Sequence, residues 1–474
     1  MNQTEIKQRK KGKAESVDMT SGPLLGKILA FSLPLMATGV LQLLFNVSDT
    51  IVAGRLAGET ALAAVGGCGA LINLLVNLFM GLSVGAGVAV ANDLGAKNHK
   101  SVEEVLHTSV LTSLITGVAV GVAGFFLAEP LLVLMDTPTD DGVLREAVQY
   151  MQAYFIGMPA CMFYNYAASI LRSAGDTKHP LLFLVISGSV NVVLNIVLVC
   201  SLGEGNGALS VGIATAASQY VAAIAVAIHM CRLTGCLRLT FARMRIVWSQ
   251  LARIMRIGLP AGLQGCLFSL SNVLIQSTVN GYGTVVMGGN TAASSVEGFV
   301  YISMNALYQA AVTFVGQNMG ARKYERIGRI ALCCVLTVTV VGLTLGWLAV
   351  LFGEPLVSLF SKDKTDAVVE AGMRRMWIIC TTYFLCGLMD VGCGLMRGIG
   401  KSVTPMIVSL LGSCVFRIVW IYTVCPSFPD DIRVLYLSYP ISWFLTAAVH
   451  FAMFFSCKRK IMRTATTEQP VLQD

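Results

Sequence analysis

The sequence predicts an all-α membrane protein with twelve transmembrane helices arranged in two six-helix bundles. The composition is apolar, with 55% hydrophobic and 13% charged residues and a mean hydropathy of +0.71. Soluble domains carry about 25% charged residues, so this composition excludes an ordinary soluble fold. Apolar stretches of membrane-spanning length recur along the chain, and such long stretches form helices rather than barrel strands. The two halves of the chain also repeat one another.

Each apolar stretch predicts one helix. The first six spans cover residues 24–47, 58–91, 102–127, 144–170, 180–201 and 209–231. The second six cover residues 250–280, 288–318, 326–352, 369–396, 403–424 and 433–456. The predicted domains are a tail at 1–23, a first lobe at 24–232, a linker at 233–249, a second lobe at 250–456 and a tail at 457–474. The first stretch is too long for a cleaved secretory signal, so we interpret it as a span.

The distribution of charge predicts the topology. The net charge is +8, but most Lys and Arg residues lie in alternate connections between spans, as the positive-inside rule requires. This pattern predicts a multi-pass membrane protein with both termini in the cytoplasm, and it argues against nucleic-acid binding. The fourteen cysteines and five histidines form no CxxC, HExxH or similar spacing. We therefore expect no cofactor and no enzyme activity.

The second half of the chain repeats the first at an offset of 225 residues. Gly95-Ala96-Lys97 returns as Gly320-Ala321-Arg322, Glu129-Pro130-Leu131 as Glu354-Pro355-Leu356, and Arg172, Gly175 and Pro180 as Arg397, Gly400 and Pro405. Pro34 and Pro260 differ by 226. Because each copy has an even number of spans, the copies face the same way across the membrane. Two parallel bundles are typical of rocker-type transporters.

The first span contains a carboxylate at Asp49. Gln42, Asn46 and Asp49 are spaced i, i+4 and i+7, so they share one face of the helix. An ionisable group costs roughly 2.5–3.5 kcal/mol at the centre of a span. Asp49 therefore either has a function or ends the helix at the water boundary.

Polar residues of two other spans can complement Asp49. Asn191 and Asn195 share a face of the fifth span, and Thr215 lies in the sixth. An aspartate with amides and a hydroxyl offers oxygen ligands to a small cation. The desolvated carboxylate could instead take up a proton, and the amides and hydroxyl could equally form hydrogen bonds between helices.

A further set of residues is predicted to line a substrate cleft: Gln42, Asn46, Asn73, Glu297, Tyr301 and Asp390. The sequence identifies no partner for Glu297 or Asp390. Arg417, in the eleventh span, is expected to pair internally or to extend towards the interface rather than to bind substrate. Asn73 could equally form hydrogen bonds between helices, and core packing is the alternative role for Tyr301.

Several motifs together resemble one family. They are the first-span pattern of Pro34, Asn46 and Asp49, the segments GAKNHKSVEE and GARKYERIGR after the second and eighth spans, and LRSAGDTKHP and LMRGIGKSVTP after the fourth and tenth. This combination resembles the multidrug and toxic compound extrusion (MATE) family of transporters, and most of all its bacterial DinF-like branch. The resemblance covers residues 24–456.

The resemblance implies a function and a site. It implies two lobes around a V-shaped cleft, and export of drug-like, often cationic, organic compounds in exchange for inward H⁺ or Na⁺ by alternating access. It also implies a cation-coupling site of Asp49, Asn191, Asn195 and Thr215, which would be the metal site of a Na⁺-coupled protein, and a hinge at Pro34. Position 195 is Asn where many members have Asp, which leaves one charge fewer. We expect a monomer whose partners are small organic substrates and the lipid bilayer.

Three other functions fit the sequence less well. A lipid-linked precursor flippase of the same superfamily, the main alternative, would need several intramembrane basic residues, and only Arg417 lies clearly inside a span. A membrane prenyltransferase would need paired acidic Mg²⁺ motifs, which the chain lacks. A major-facilitator transporter would need a GxxxDRxGRR-type loop, and GAKNHKSVEE is not one.

Overall fold

Long helices follow the predicted apolar stretches in the first half of the chain. The computed structural model describes residues 18–135, 137, 142–202, 205–360, 366–429 and 431–467. The first helices are α1 (Leu24–Val52), α2 (Glu59–Gly95), α3 (His99–Leu134), α4 (Val143–Ile156), α5 (Met158–Ser173), α6 (Lys178–Leu202) and α7 (Gly207–Arg232). A π-helical turn, Ala53–Ala57, extends α1. Two short 3₁₀ turns, Gly235–Leu237 and Phe241–Arg243, lie in the predicted linker.

The second half continues with helices of the same kind. They are α8 (Trp248–Asn280), α9 (Thr284–Gly320), α10 (Tyr324–Leu351), α11 (Gly353–Phe360), α12 (Asp366–Ile379), α13 (Tyr383–Gly398), α14 (Val403–Ser409), α15 (Phe416–Thr423) and α16 (Ile432–Thr467). A π-helical segment, Leu410–Val415, joins α14 to α15, and a 3₁₀ turn spans Cys425–Ser427. Of the predicted tails, residues 1–17 and 468–474 lie outside the described residues.

Most predicted spans correspond to one continuous helical stretch. Among the described residues, ten stretches are long and apolar enough to cross a membrane, and α12 with α13 forms an eleventh, bent by 48°. The predicted fourth span corresponds to α4 and α5, which meet at Gly157. The all-helical, multi-span prediction is confirmed.

Two spans predicted as continuous helices are interrupted. Pro159, just after Gly157, has no N–H to donate to the preceding turn, so the helical ladder ends there. Gly157 also packs closely against α7, since a Cβ at this position would lie 2.9 Å from Ala216 Cα. Between α12 and α13 the bonds from Thr382 N to Ile379 O and from Tyr383 N to Cys380 O join residues three apart. These tighter turns replace the α-helical ladder.

The internal repeat is visible in the backbone. Lys97 and Arg322, 225 residues apart, both have a positive φ, at 56° and 55°. Gly175 and Gly400 also lie in the left-handed region, with φ values of 92° and 85°. A side chain in this region costs about 1–2 kcal/mol. Both copies therefore retain the same unfavourable turn, and the predicted repeat is confirmed.

The chain packs into two units, and two helices contribute to both. The first unit contains Ala37–Leu94 and Asn98–Leu259, and the second contains Met19–Met36, Gly95–Lys97 and the described chain from Pro260 onwards. The first turns of α1 thus belong to the second unit, and the first turns of α8 belong to the first unit. The predicted lobes assigned α1 and α8 each to a single lobe. Those domain limits stay a prediction.

Specific contacts explain this division. At the start of α1, Asn318 Nδ2 donates to Met19 O at 3.0 Å, and Lys323 Nζ donates to Thr20 O at 2.7 Å. At the start of α8, Arg253 Nη1 donates to both carboxylate oxygens of Asp93 at 2.8 Å. The segment that leads into α1 is therefore anchored to residues near the α9–α10 turn, and the first turns of α8 are anchored to a residue near the α2–α3 turn.

Candidate cation site

The site in the first unit depends on a close approach between α1 and α6. Gly188 has no side chain, and the ring of Phe45 occupies that space: a Cβ at position 188 would lie 1.9 Å from Phe45 Cε2. Asp49 follows Phe45 by one turn, and Asn191 and Asn195 follow Gly188 along the same face of α6. The Phe45–Gly188 contact therefore sets the register that brings Asp49 opposite the two amides.

The four predicted cation-coupling residues meet around the Asp49 carboxylate. Asn195 Nδ2 donates to Asp49 Oδ1 at 2.5 Å and also contacts Asn191 Oδ1 at 3.3 Å. Thr215 Oγ1 lies 3.5 Å from Asp49 Oδ2, at the limit of a hydrogen bond, and donates at 2.9 Å to Val211 O. Three helices, α1, α6 and α7, thus supply one cluster of oxygen-rich side chains.

The cluster is enclosed but not fully satisfied. Asn191 and Asn195 are 4% and 0% exposed, whereas Asp49 and Thr215 are half-buried. Asn195 Oδ1 is buried and has no hydrogen-bond donor. Buried polar atoms are nearly always paired, so an unpaired carbonyl oxygen beside a carboxylate calls for an explanation. A bound cation, or a proton carried by Asp49, would supply the missing partner.

One residue of this region was not predicted. Tyr150, on α4, is 6% exposed and lies near Asp49. Its position depends on Gly212 of α7, where a Cβ would lie 3.0 Å from Tyr150 O. Spacing within one helix gives no signal for Tyr150, because its place depends on how α4 packs against α7.

The turn after Asp49 has an unusual form. Ala53–Ala57 adopts a π-helix, and Ala57 packs against the first residue of α7, where a Cβ on Gly207 would lie 2.3 Å from Ala57 Cβ. π-helical turns are rare and occur frequently at functional sites. This one links the end of α1 to the helix that carries Thr215.

Other predicted residues of the first two spans are three polar side chains and one proline. Gln42, Asn46 and Asn73 are exposed. Pro34 lies inside α1, which remains helical through it. The hinge role of Pro34 and the cleft roles of the three polar residues stay predictions.

In the second unit, Glu297 has a partner that the sequence did not reveal. Arg375 donates to both carboxylate oxygens of Glu297, at 2.8 and 2.7 Å, and to Asn290 Oδ1 at 2.6 Å. Its guanidinium also lies 5.5 Å from the ring centroids of Tyr436 and Tyr439. Glu297 is therefore one half of a buried ion pair.

The remaining two predicted cleft residues lie near each other. Tyr301 is 41% exposed, and Asp390 is half-buried on α13. Asp390 is close enough to interact electrostatically with both Tyr301 and Arg397. The structure thus gives Asp390 a charged neighbour.

Arg417 is one of three deeply buried arginines in helices of the second unit. Arg375, Arg397 and Arg417 are 6%, 5% and 5% exposed. Arg375 lies within the predicted tenth span, and Arg397 lies within α13, which ends at Gly398, two residues beyond that predicted span. Arg397 donates to Tyr308 Oη at 2.5 Å and to Gln264 Oε1 at 2.8 Å. Arg417 donates to Ser442 Oγ at 3.0 Å and lies 4.1 Å from the Tyr439 ring centroid. Arg417 thus pairs internally, as predicted.

Comparison with known proteins gives consistent similarities. A family model described as MatE matches residues 34–197 and 260–423. The probable multidrug resistance protein YpnP of Bacillus subtilis is 29% identical over 407 residues, covering 85% of this chain and 89% of that protein. An FAD transporter of Shewanella oneidensis is 24% identical over 435 residues, covering 90% and 93%.

Solved structures show the same fold. An outward-facing multidrug resistance MATE family transporter superposes with a TM-score of 0.88 at 21% identity, covering 95% of this chain and 99% of that one. A transporter of the MOP superfamily from Pyrococcus furiosus gives a TM-score of 0.87 at 21% identity, with the same coverage.

Proposed function

The chain belongs to the MatE family, and on that premise we propose a secondary active antiporter. It exports drug-like or toxic organic compounds, often cationic, in exchange for inward H⁺ or Na⁺ by alternating access. It is a multi-pass protein of the bacterial inner membrane with both termini in the cytoplasm. It acts as a monomer and needs no cofactor beyond the coupling ion.

The observation that carries this proposal is the arrangement around Asp49. A carboxylate contacts Asn195 and Thr215, while Asn195 Oδ1 lies buried beside it without a donor. If Na⁺ is the coupling ion, carboxylate, amide and hydroxyl oxygens supply its ligands. If H⁺ is the coupling ion, protonated Asp49 becomes a donor, and rotation of the Asn195 amide gives its oxygen that donor. Either event removes a negative charge from an apolar environment.

This chemistry supports coupling to transport. An unoccupied carboxylate inside a span carries an energetic cost that a bound cation relieves, so occupancy can shift the balance between two conformations. When one net positive charge moves inward, as in exchange of one cation for an uncharged compound, a membrane potential of 100 mV provides about 2.3 kcal/mol, enough for a substrate gradient of about 50-fold. One coupling ion is therefore energetically sufficient for an uncharged compound, whereas export of a monovalent cation draws on the concentration gradient of the coupling ion.

The substrate class is taken from the relatives. Several are named as multidrug resistance or export proteins, and one is an FAD transporter. Drug-like organic compounds are the class that most of these names share. We therefore propose this class as the primary substrates.

The flippase alternative has less support. Its pyrophosphate ligand would need free basic donors inside the membrane. Arg375 is engaged by Glu297 and Asn290, and Arg397 is engaged by Tyr308 and Gln264. Arg417 lies under the ring of Tyr439. These contacts favour structural roles for all three arginines.

Transport into inside-out vesicles tests the proposal. The vesicle lumen is loaded with Na⁺ or acidified, in separate experiments, and uptake of ethidium and of other toxic organic compounds is followed. We expect one of the two gradients to drive uptake, and Asp49→Asn to reduce it at least about 10-fold. The matched control is Glu59→Gln, an exposed carboxylate at the start of α2, which should leave uptake unchanged. Undiminished, gradient-driven uptake by the Asp49→Asn protein would refute the proposed role of Asp49.

A further inference from the structure

Three side chains with metal-ligating atoms meet at one end of the α6–α7 pair, away from Asp49. They are Asp176, in the turn before α6, His179, in the first turn of α6, and His229, in the last turn of α7. One ligand atom of each lies within 4.8 Å of the other two. The two histidines are 50 residues apart in the sequence, so no spacing motif reveals the cluster.

The geometry of this cluster is close to that of a metal site. His179 Nδ1 lies 2.7 Å from Asp176 Oδ2, and His229 Nε2 lies 3.7 Å from the same oxygen. The two imidazole rings stack with centroids 4.1 Å apart. In a tetrahedral zinc site with bonds of about 2.0–2.1 Å, neighbouring donor atoms are about 3.3 Å apart. The two measured distances lie on either side of that value, so small side-chain rotations suffice.

Two further observations favour a ligand. His229 Nε2 is buried and makes no hydrogen bond, although it points towards the Asp176 carboxylate. Asp176 Oδ1 accepts the backbone N–H of His179 at 3.1 Å, which fixes the carboxylate with Oδ2 facing both imidazoles. Fixing of a ligating carboxylate by a second hydrogen bond is typical of metal centres.

We propose that Asp176, His179 and His229 bind a divalent transition metal, with Zn²⁺ as the best fit. Two imidazole nitrogens and one carboxylate oxygen suit Zn²⁺ better than Mg²⁺ or Ca²⁺, which prefer oxygen ligands alone. The metal replaces the hydrogen bond between His179 and Asp176, and the His179 proton moves from Nδ1 to Nε2. The His179 side chain is 38% exposed, so its Nε2 can reach water. A water molecule completes the coordination.

The metal would join the two helices that supply the Asp49 partners. His179 and His229 lie on α6 and α7, which also carry Asn191, Asn195 and Thr215. The distance along α6 from His179 to Asn191 is about 18 Å, at about 1.5 Å per residue. Occupancy would therefore stabilise this helix pair at the end remote from the cation site.

Direct metal binding to the full-length protein tests the proposal. The protein is purified in detergent without a polyhistidine tag and stripped with a chelator. It is then titrated with Zn²⁺ by calorimetry and with Co²⁺ by visible absorption, which reports tetrahedral nitrogen and oxygen coordination. We expect one Zn²⁺ per chain and a higher thermal unfolding temperature with Zn²⁺ than without it.

Substitutions assign the binding to these residues. His179→Gln and His229→Gln should each weaken Zn²⁺ binding at least 10-fold, since even loss of an outer-shell partner costs about 10–100-fold in affinity. Asp176→Asn keeps an acceptor for the His179 N–H and should also weaken binding, which separates a ligand role from a fold defect. The control is His99→Gln, which removes an exposed imidazole 3.4 Å from Cys236 Sγ. Absence of saturable Zn²⁺ binding, or binding unchanged by both His substitutions, would overturn the proposal.

Discussion

Asn195 donates to Asp49 at 2.5 Å through its amide nitrogen, while its carbonyl oxygen remains buried and unpaired. The Asn195 amide thus has one atom paired with Asp49 and one atom without a hydrogen-bond partner. A second carboxylate at position 195 would place two like charges in contact, and a cation is then needed to hold them together.

The first prediction concerns Asn195→Asp. Because this change adds a second negative charge beside Asp49, transport should become strongly dependent on Na⁺ or on lower pH, with a steeper dependence on cation concentration than in the wild type. Initial rates of vesicle uptake across a series of Na⁺ concentrations and pH values measure this. Asn280→Asp, at an exposed position at the end of α8, is the control. An unchanged cation dependence would contradict the proposed contact with the coupling ion.

The second prediction concerns Gly188→Ala. Its new Cβ would lie 1.9 Å from the ring of Phe45, and overpacking of this kind costs about 1–3 kcal/mol. We expect a lower unfolding temperature and reduced transport, because the register of Asp49 against α6 is lost. Phe45→Ala combined with Gly188→Ala should recover part of the loss. Gly66→Ala, where a Cβ meets nothing within 4 Å, serves as the control and should not destabilise the protein, because alanine favours a helix interior over glycine.

The third prediction concerns Glu297→Gln. The change leaves the buried Arg375 guanidinium without a carboxylate, which costs about 3–5 kcal/mol when one partner of a buried pair is removed. We therefore expect a large fall in thermal stability in detergent, measured by the unfolding temperature. Arg374→Gln removes an exposed partner of Glu370 and should cost less than about 0.5 kcal/mol. A stable Glu297→Gln protein would contradict the structural role assigned to this acid.

The fourth prediction uses the two positive-φ residues of the repeat. Lys97→Gly and Arg322→Gly should each stabilise the protein by up to about 1 kcal/mol, because glycine adopts the left-handed region without a steric cost. Lys100→Gly, in the first turn of α3, should instead destabilise it by about 1 kcal/mol. Unfolding temperatures of the three variants decide this. Destabilisation by both of the first two changes would show that their side chains have another role.

Much of the fold and of the Asp49 cluster could be predicted from the sequence. Hydropathy places the spans, and the 225-residue offset defines the repeat. Asn191 and Asn195 are four residues apart, so they share a helix face however the helices pack against one another. The breaks at Gly157 and Cys380 were missed because hydropathy stays high across them. Pro159 was the available signal for the first break.

Contacts between distant spans could not be predicted in this way. Arg375 meets Glu297 across 78 residues, and His229 meets Asp176 across 53. Each pair depends on which helices are neighbours and how they are rotated, which a single sequence does not specify. Tyr150 was missed for the same reason.

The exchange of helix ends between the units has a consequence for how the chain is made. A fragment that stops after α7 contains Asp93 but lacks Arg253, and a fragment that starts at α8 contains Asn318 but lacks Met19. Although the sequence repeats as two six-span modules, each module made alone would lack a contact that belongs to its own unit. Packing of the first copy is therefore complete only after the second copy has also been inserted into the bilayer.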